Sequence, residues 1–205
     1  FTRAEESMPG ALADALYAID DFSDDPGHDR LLEEAEARGV KLTTEEDITP
    51  GELAIATYLD HPILFRQARD KGVFQKMRNY EEYQAKNDTP LKLPKRAKLR
   101  KLEGRLAPWF KEHLRGEICE IDAYKEEHEI RFVVVHGRPY RSQDVWEKAK
   151  RSRLNFRPQK HDSVIFDKRT FTLKVSAQTP PEKALYRRAF GEVLFGDPEH
   201  FTGTD

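Results

Sequence analysis

The sequence has few of the residues that build disulfides, thiolate metal sites or membrane spans. Cys119 is the only cysteine among the 205 residues, which excludes an intramolecular disulfide and a zinc site made of several thiolates. The longest nearly apolar stretch, residues 53–59, is far shorter than the roughly 20 residues that cross a bilayer. We therefore predict no transmembrane helix and no membrane partner, and a reducing cytoplasm is the expected location.

Short motifs of cofactor chemistry are also missing. The chain has neither of the glycine-rich phosphate loops GxGxxG and GxxxxGK[ST], and it lacks the GxSxG turn of serine hydrolases. Its seven histidines include no HxH or HxxxH pair. These absences predict a protein without a metal ion or cofactor. The N-terminal residues lack a basic leader and an apolar run, so we expect no signal peptide, and the start at Phe1 indicates a fragment or a missing leader.

Charged residues are abundant, at 35% of the chain, and the two signs are unevenly distributed. Residues 1–60 carry 16 acids but only four bases, a net charge of −12. The remaining residues carry 31 bases and 21 acids, a net charge of +10. The two parts of the chain therefore present opposite electrostatic fields, and the second part is the one suited to a polyanionic partner.

Hydrophobic spacing predicts the domain organisation. In the first part, apolar residues recur at helical spacing, and the sequence Thr49-Pro50-Gly51-Glu52 is a capping box that begins a helix. Residues 1–87 are thus predicted to form an acidic helical subdomain. Residues 88–94 contain two prolines and no periodicity, which is typical of a linker. Residues 95–205 are predicted to form a basic α+β subdomain.

The predicted α+β subdomain combines helices with strands that alternate apolar and polar residues. A helix over 95–114 precedes an antiparallel hairpin over 119–134, and a second hairpin covers 163–175. We predict a further helix over 142–153, with Trp146 in the core, and a last helix that begins at the capping box Thr179-Pro180-Pro181-Glu182. The expected fold class is α+β, with a helical N-terminal subdomain followed by an antiparallel sheet of about four strands packed with helices.

The first basic segment, residues 91–116, contains nine bases and only two acids. On a helix Lys98, Lys101 and Arg105 form a stripe beside the apolar face, because their spacing is i, i+3, i+7. Such a stripe matches a phosphate backbone, since lysine and arginine donate strongly to phosphate oxygens and release condensed counterions. The alternative is a solvated helix face that pairs with acidic residues.

The second basic segment, residues 138–160, contains eight bases and two acids, interleaved with Tyr140, Trp146 and Phe156. Aromatic rings stack on exposed bases while neighbouring cations hold the backbone, a combination used to bind single strands and RNA. We therefore add three bases of this segment to the predicted nucleic-acid contacts, which are Lys150, Arg151 and Arg153.

A weak catalytic signal lies where the most apolar strand ends, in the sequence His136-Gly137-Arg138-Pro139-Tyr140-Arg141. His136 would act as general acid or base, and Arg138 or Arg141 would stabilise the developing charge, as in a metal-independent nuclease. A strand-ending turn with glycine and proline explains the same residues without catalysis.

Three functional hypotheses follow. The first is a nonenzymatic nucleic-acid-associated protein or domain that contacts phosphates through a basic helix face. The second is a protein–protein interaction module of a larger assembly, in which a protein partner or a missing flanking domain meets the charged surfaces. The third is a nuclease that uses His136 and the neighbouring arginines. The sequence does not distinguish DNA from RNA.

Overall fold

The computed structural model describes residues 10–42, 48–77, 79–147 and 150–203. The chain divides into two compact units between Lys76 and Met77. Among the described residues, no helix combines the length and apolar character needed to cross a membrane. The class is α+β, as predicted from the change of hydrophobic period.

The first unit is built from helices that bury a small apolar core. Asp24 and Thr49 cap the second and third helices with their side chains, and the capping box of Thr49 and Glu52 is confirmed. Gly39 ends the second helix in the left-handed conformation, at φ 64°. The helices are α1 (Gly10–Asp20), α2 (Asp25–Arg38), α3 (Pro50–Asp60) and α4 (Pro62–Lys76), and their buried apolar residues are Ala18, Phe22, Leu31, Ala35, Leu53, Ala54, Leu64, Phe65 and Ala68.

The second unit contains a six-stranded sheet in which every neighbouring pair is antiparallel. Its strands are β1 (Glu81–Ala85), β2 (Cys119–Lys125), β3 (Glu129–Gly137), β6 (Gln159–Asp167), β7 (Thr172–Ser176) and β8 (Phe201–Gly203). The strand order is β2-β3-β6-β7-β1-β8. Both predicted hairpins, β2–β3 and β6–β7, are confirmed.

Two helices pack against the inward face of this sheet. The first is α5 (Arg96–Glu112), which buries Leu99, Leu102, Leu106 and Phe110. The second is α6 (Pro180–Phe190), which begins at the predicted Thr179 capping box and runs into a π-helical turn over Gly191–Phe195. The alternate residues of the strands complete the core, including Ile121, Phe132, Val134, Val164 and Phe166.

The strand β1 corrects the prediction that residues 1–87 are all helical and that the unit boundary lies at 88–94. Glu81–Ala85 pairs with both β7 and β8, so it belongs to the second unit. Its residues, Glu-Glu-Tyr-Gln-Ala, include several good helix formers, and pairing with its two neighbours overrides that local preference. With β1 and the three-residue β8, the sheet has six strands instead of about four.

The prediction of a helix over 142–153 is wrong. This segment forms a separate two-stranded antiparallel sheet from β4 (Arg141–Glu147) and β5 (Lys150–Phe156). Trp146, predicted to lie in the core, is 73% exposed. Hairpin strands that bury neither face carry no period-two hydrophobic pattern, so helical spacing between a few apolar residues was misleading. Residues 148 and 149 of this segment lie outside the described residues.

The position of β1 predicts where this chain can be cut. A fragment of residues 77–205 retains all six strands, whereas a fragment of residues 88–205 loses the strand between β7 and β8 and leaves β8 without its neighbour. We expect cooperative urea unfolding of the longer fragment and no cooperative transition, or a far lower midpoint, for the shorter one. Equal midpoints for the two fragments would contradict the assignment of β1 to the second unit.

Candidate functional site

The β4–β5 hairpin, hereafter the ribbon, gathers one group of the predicted nucleic-acid contacts. Opposite residues of an antiparallel pair share a face, so Trp146 and Arg151 lie together, as do Asp144 and Arg153. The Arg151 guanidinium carbon is 5.8 Å from the centroid of the Trp146 ring. The next pair on the same face is Ser142 and Asn155. This face therefore carries an exposed aromatic ring, two arginines, two neutral polar side chains and the carboxylate of Asp144. Lys150 lies on the opposite face.

Most of the described side chains of the ribbon are exposed. Lys150, Arg151, Arg153 and Asn155 are exposed, and Leu154 on the opposite face is 50% exposed. The ion pair between Arg153 and Asp144, at 3.1 Å, joins two solvent-accessible side chains. An exposed pair of this kind is worth roughly 1 kcal/mol or less, so it leaves Arg153 available to a stronger anionic ligand.

The predicted stripe on α5 is also exposed, but two of its three residues have intramolecular partners. Lys98 Nζ donates to the Leu194 carbonyl at 3.1 Å, and Arg105 Nε donates to the Glu192 carboxylate at 2.7 Å. Both contacts attach α5 to the π-helical turn that follows α6. Lys101 lies between them on the same helix face and is exposed.

The ribbon and the stripe do not form one surface. The ribbon begins and ends beside the C-terminal end of α5, where Arg157 donates to the carbonyl of Leu114. The stripe runs from Lys98 to Arg105, which lie about 21 Å and about 10 Å from Glu112 along the helix axis, at 1.5 Å per residue. The structure therefore separates the predicted nucleic-acid contacts into two groups.

His136 faces the core and belongs to a buried polar network. Its ring stacks on Phe110, with centroids 4.0 Å apart. Its Nε2 lies 2.9 Å from Asp162 Oδ2, and its Nδ1 lies 2.8 Å from the Gly137 carbonyl oxygen. Because an amide carbonyl and a carboxylate occupy both ring nitrogens and the side chain is fully buried, the geometry gives His136 no free nitrogen for proton transfer to a substrate.

The other predicted catalytic residues lie elsewhere. Arg141 is exposed at the first position of the ribbon, opposite Phe156. Arg138 is half-buried just after β3, where its backbone N–H donates to the Pro158 carbonyl at 2.8 Å. The ring of His136 bonds to Asp162 and Gly137 rather than to either arginine, so the structure does not bring the three predicted groups together.

Lys160 is the centre of the network. Its ammonium lies 3.0 Å from Asp162 Oδ1 and 2.8 Å from Glu182 Oε1, and it is 7% exposed. Arg115 also donates to Glu182, and Tyr186 donates to Asp162 at 2.7 Å. Two cations and two carboxylates therefore balance one another inside the protein, which is the condition for burying them.

The network shifts the pKa values of two of its groups, Glu182 and Tyr186, in opposite directions. Burial by itself raises the pKa of Glu182, but the hydrogen bond and charge of Lys160, with hydrogen bonds from Thr179 and Arg115, outweigh burial and lower that pKa to about 2. Burial and the charge of Asp162 raise the pKa of Tyr186, so its hydroxyl remains a donor. Burial also raises the pKa of the nearby Cys119 thiol to about 12, which leaves it a poor nucleophile.

Three residues of this network offer ligand atoms that lie within 4.8 Å of one another, namely His136, Asp162 and Glu182. A divalent cation would suit this set chemically. The Lys160 ammonium already lies between the two carboxylates, however, so a metal ion would have to displace it. The arrangement is better explained as an internal ion-pair network that joins the sheet to α6.

Sequence reasoning missed most of this network, although part of the signal was present. Lys160 and Asp162 continue the inward-facing alternation of Val164 and Phe166, and β6 begins at Gln159. The predicted hairpin began at Ser163 and so omitted them. A lysine and an aspartate at inward positions of one strand require buried partners, but nothing local identified those partners as Glu182 and Arg115.

Neither protein-family models nor curated proteins match this chain. The functional conclusion therefore depends on the geometry and chemistry of its own residues.

The substitution Glu182→Gln tests the network. It leaves Asp162 as the only carboxylate facing Lys160 and removes the carboxylate partner of Arg115, so one positive charge of the network is uncompensated. We therefore expect a loss of about 3–5 kcal/mol in the free energy of unfolding at pH 7. The lowered pKa of Glu182 stabilises the fold above about pH 4.5, and this contribution is lost as the pH falls toward 2. When the pH is lowered from 7 to 3, the free energy of unfolding of the wild type should therefore fall by about 2 kcal/mol more than that of the variant.

Urea denaturation at both pH values measures these differences. Glu192→Gln is the matched control, because it removes one exposed partner of Arg105 and should change stability by about 1 kcal/mol or less. Equal effects of the two substitutions would contradict the role assigned to the network.

Proposed function

We propose that this protein binds nucleic acid through the ribbon. The observation that carries the proposal is an exposed two-stranded hairpin whose one face presents Trp146 beside Arg151 and Arg153. A tryptophan that is 73% exposed gains nothing from the core of the protein, and a partner that covers its ring would remove that apolar surface from water.

The side chains on this face are better suited to bind a nucleic acid than to bind an uncharged partner. Arginine donates two parallel hydrogen bonds to phosphate or to a guanine edge. Asparagine also pairs bidentately with adenine, but its amide nitrogen donates to N7 while its amide oxygen accepts from the N6 amino group. A two-stranded ribbon is narrow enough to enter the major groove of a duplex, and an exposed indole ring stacks on unpaired bases. Arg151, Arg153 and Asn155 supply the first kind of contact, and Trp146 supplies the second.

The ribbon is a better principal contact than the stripe on α5. Lys98 and Arg105 would have to leave the Leu194 carbonyl and the Glu192 carboxylate to bind phosphates. Of the three stripe residues, Lys101 has the fewest competing contacts. The stripe is therefore proposed as a secondary electrostatic contact.

A second candidate function is supported by an apolar groove in front of α5. The groove has a volume of about 570 Å³, and Leu91, Leu93 and Leu194 contribute to its floor and walls. Four lysines lie around it, which are Lys92, Lys95, Lys98 and Lys101. An apolar groove with a basic rim favours binding of an acidic peptide segment whose apolar side chains enter the groove. Such binding is typical of a protein interaction module.

Two triple substitutions of equal charge change test the principal proposal. The first is Lys150→Gln/Arg151→Gln/Arg153→Gln on the ribbon, and the second is Lys98→Gln/Lys101→Gln/Arg105→Gln on α5. Fluorescence anisotropy with labelled duplex and single-stranded DNA and RNA, across a salt series from about 50 mM, gives the affinity and the salt slope. We expect the ribbon variant to lose about tenfold or more in affinity and up to about three phosphate contacts in the slope.

The α5 variant is the matched control, because it removes the same charge from a helix face outside the ribbon. Its binding should fall by less than that of the ribbon variant. Circular dichroism of both variants establishes that they are folded. Equal losses in the two variants would contradict a ribbon-centred interface, and no binding by the wild type near 50 mM salt would overturn nucleic-acid binding altogether.

The groove predicts a different ligand. An acidic amphipathic peptide labelled with a fluorophore should bind the wild type, and Lys95→Gln/Lys98→Gln/Lys101→Gln should weaken that binding severalfold, because the rim loses three of its four charges. The ribbon variant described above should bind the peptide as the wild type does. Unchanged binding by the groove variant would contradict this second function.

A further inference from the structure

A cavity of about 600 Å³ opens where the ribbon leaves the sheet. Its walls come from the loop between α5 and β2, from the adjoining ends of β2, β3 and β6, and from the residues at the root of the ribbon. The root is closed by a hydrogen bond from the Arg138 N–H to the Pro158 carbonyl at 2.8 Å. The cavity therefore adjoins the root of the ribbon, where Tyr140 and Arg157 flank its two strands.

Arg157 is fixed as one wall of this cavity. Its guanidinium donates to the carbonyls of Leu114 and Arg138, the second at 3.0 Å. Two glycines make room for it. A Cβ at Gly137 would collide with the Arg115 carbonyl and with the Arg157 side chain, and Gly116, at φ 88°, lies against the same side chain. These contacts hold the arginine in place before any ligand arrives.

The fixed arginine supports an aromatic platform. The guanidinium carbon of Arg157 lies 4.8 Å from the centroid of the Tyr140 ring, within cation–π distance. Tyr140 is nevertheless 66% exposed, so much of its ring surface remains accessible. Ile118, which is 74% exposed, and Val135 add apolar surface to the same cavity. A flat aromatic ligand would find one stacking surface and an apolar wall here.

Polar groups complete the lining. Glu120 and Gln159 alternate along their strands with the inward-facing Cys119 and Lys160, so their side chains lie on the outer face of the sheet. A carboxylate accepts hydrogen bonds, and an amide both donates and accepts them. A nucleobase edge presents the same mixture of donors and acceptors.

We infer that this cavity receives an unpaired nucleobase of the strand held by the ribbon, stacked on Tyr140 and hydrogen-bonded through Gln159 and Glu120. This inference rests on the proposed function, since the ribbon supplies the charged contacts that bring the strand to the cavity. The inference specifies the class of ligand: the protein should bind a nucleic acid with an unstacked base more tightly than one that is fully paired.

The test uses two DNA duplexes of equal charge, both containing 2-aminopurine. In the first the fluorescent base is bulged, and in the second it is paired. The wild type should bind the bulged duplex about tenfold more tightly and should quench its fluorescence, because stacking on an aromatic side chain has an effect of this size. Tyr140→Leu should abolish both the preference and the quenching, while its affinity for the paired duplex stays unchanged. Tyr140→Phe, which keeps the ring, should retain both.

The outcomes separate the two proposals. If neither duplex binds, the nucleobase proposal fails for duplex DNA, and the salt series with single-stranded DNA and RNA decides whether nucleic-acid binding is overturned as well. If both bind equally, or if Tyr140→Leu keeps the preference, the cavity is not a nucleobase site and the ribbon interface stands. Trp146→Leu is the control for stacking elsewhere on the ribbon. This substitution should lower the affinity for both duplexes by the same factor.

Discussion

Lys160 lies between two carboxylates, Asp162 on its own strand and Glu182 on α6, and this ionic contact joins the sheet to the helix layer. Removing either carboxylate would leave a buried charge without compensation, a far larger penalty than the loss of an ordinary surface pair. Arg115, just after α5, donates to the same Glu182. Three parts of the unit, the sheet and both helices, therefore meet at one polar cluster inside an otherwise apolar core.

This cluster is also connected to the residues at the root of the ribbon. His136 bonds to Asp162, and the next residue, Gly137, lies against the side chain of Arg157 at the ribbon's root. Arg115 links the network on one side to the cavity on the other, since it contacts Glu182 and also lines the cavity wall. If the ribbon binds a ligand as proposed, anchoring its root in advance reduces the backbone entropy that binding would cost.

Burial distinguishes the residues that stabilise the fold from those proposed to contact a ligand. The titratable groups that look most like catalytic residues, His136 and its partners, are buried and satisfied by one another, which suits them to stability. Trp146, which sequence reasoning placed in a helical core, is exposed on a separate hairpin, and the proposed function uses it for recognition. Charge alone did not separate the two cases, because Lys160 and Arg151 lie within the same basic segment.

The sequence by itself determined the local features of this protein. Helix α5, the two hairpins, both threonine capping boxes and the α+β class were all predictable, because each depends on periodicity or on a few adjacent residues. Only the tertiary structure decided that Glu81–Ala85 is a strand, that Trp146 is exposed, and that Lys160 meets Glu182. The physical reason is the same in each case: strand pairing and burial are set by residues distant in the chain, and no local pattern encodes which distant residues those are.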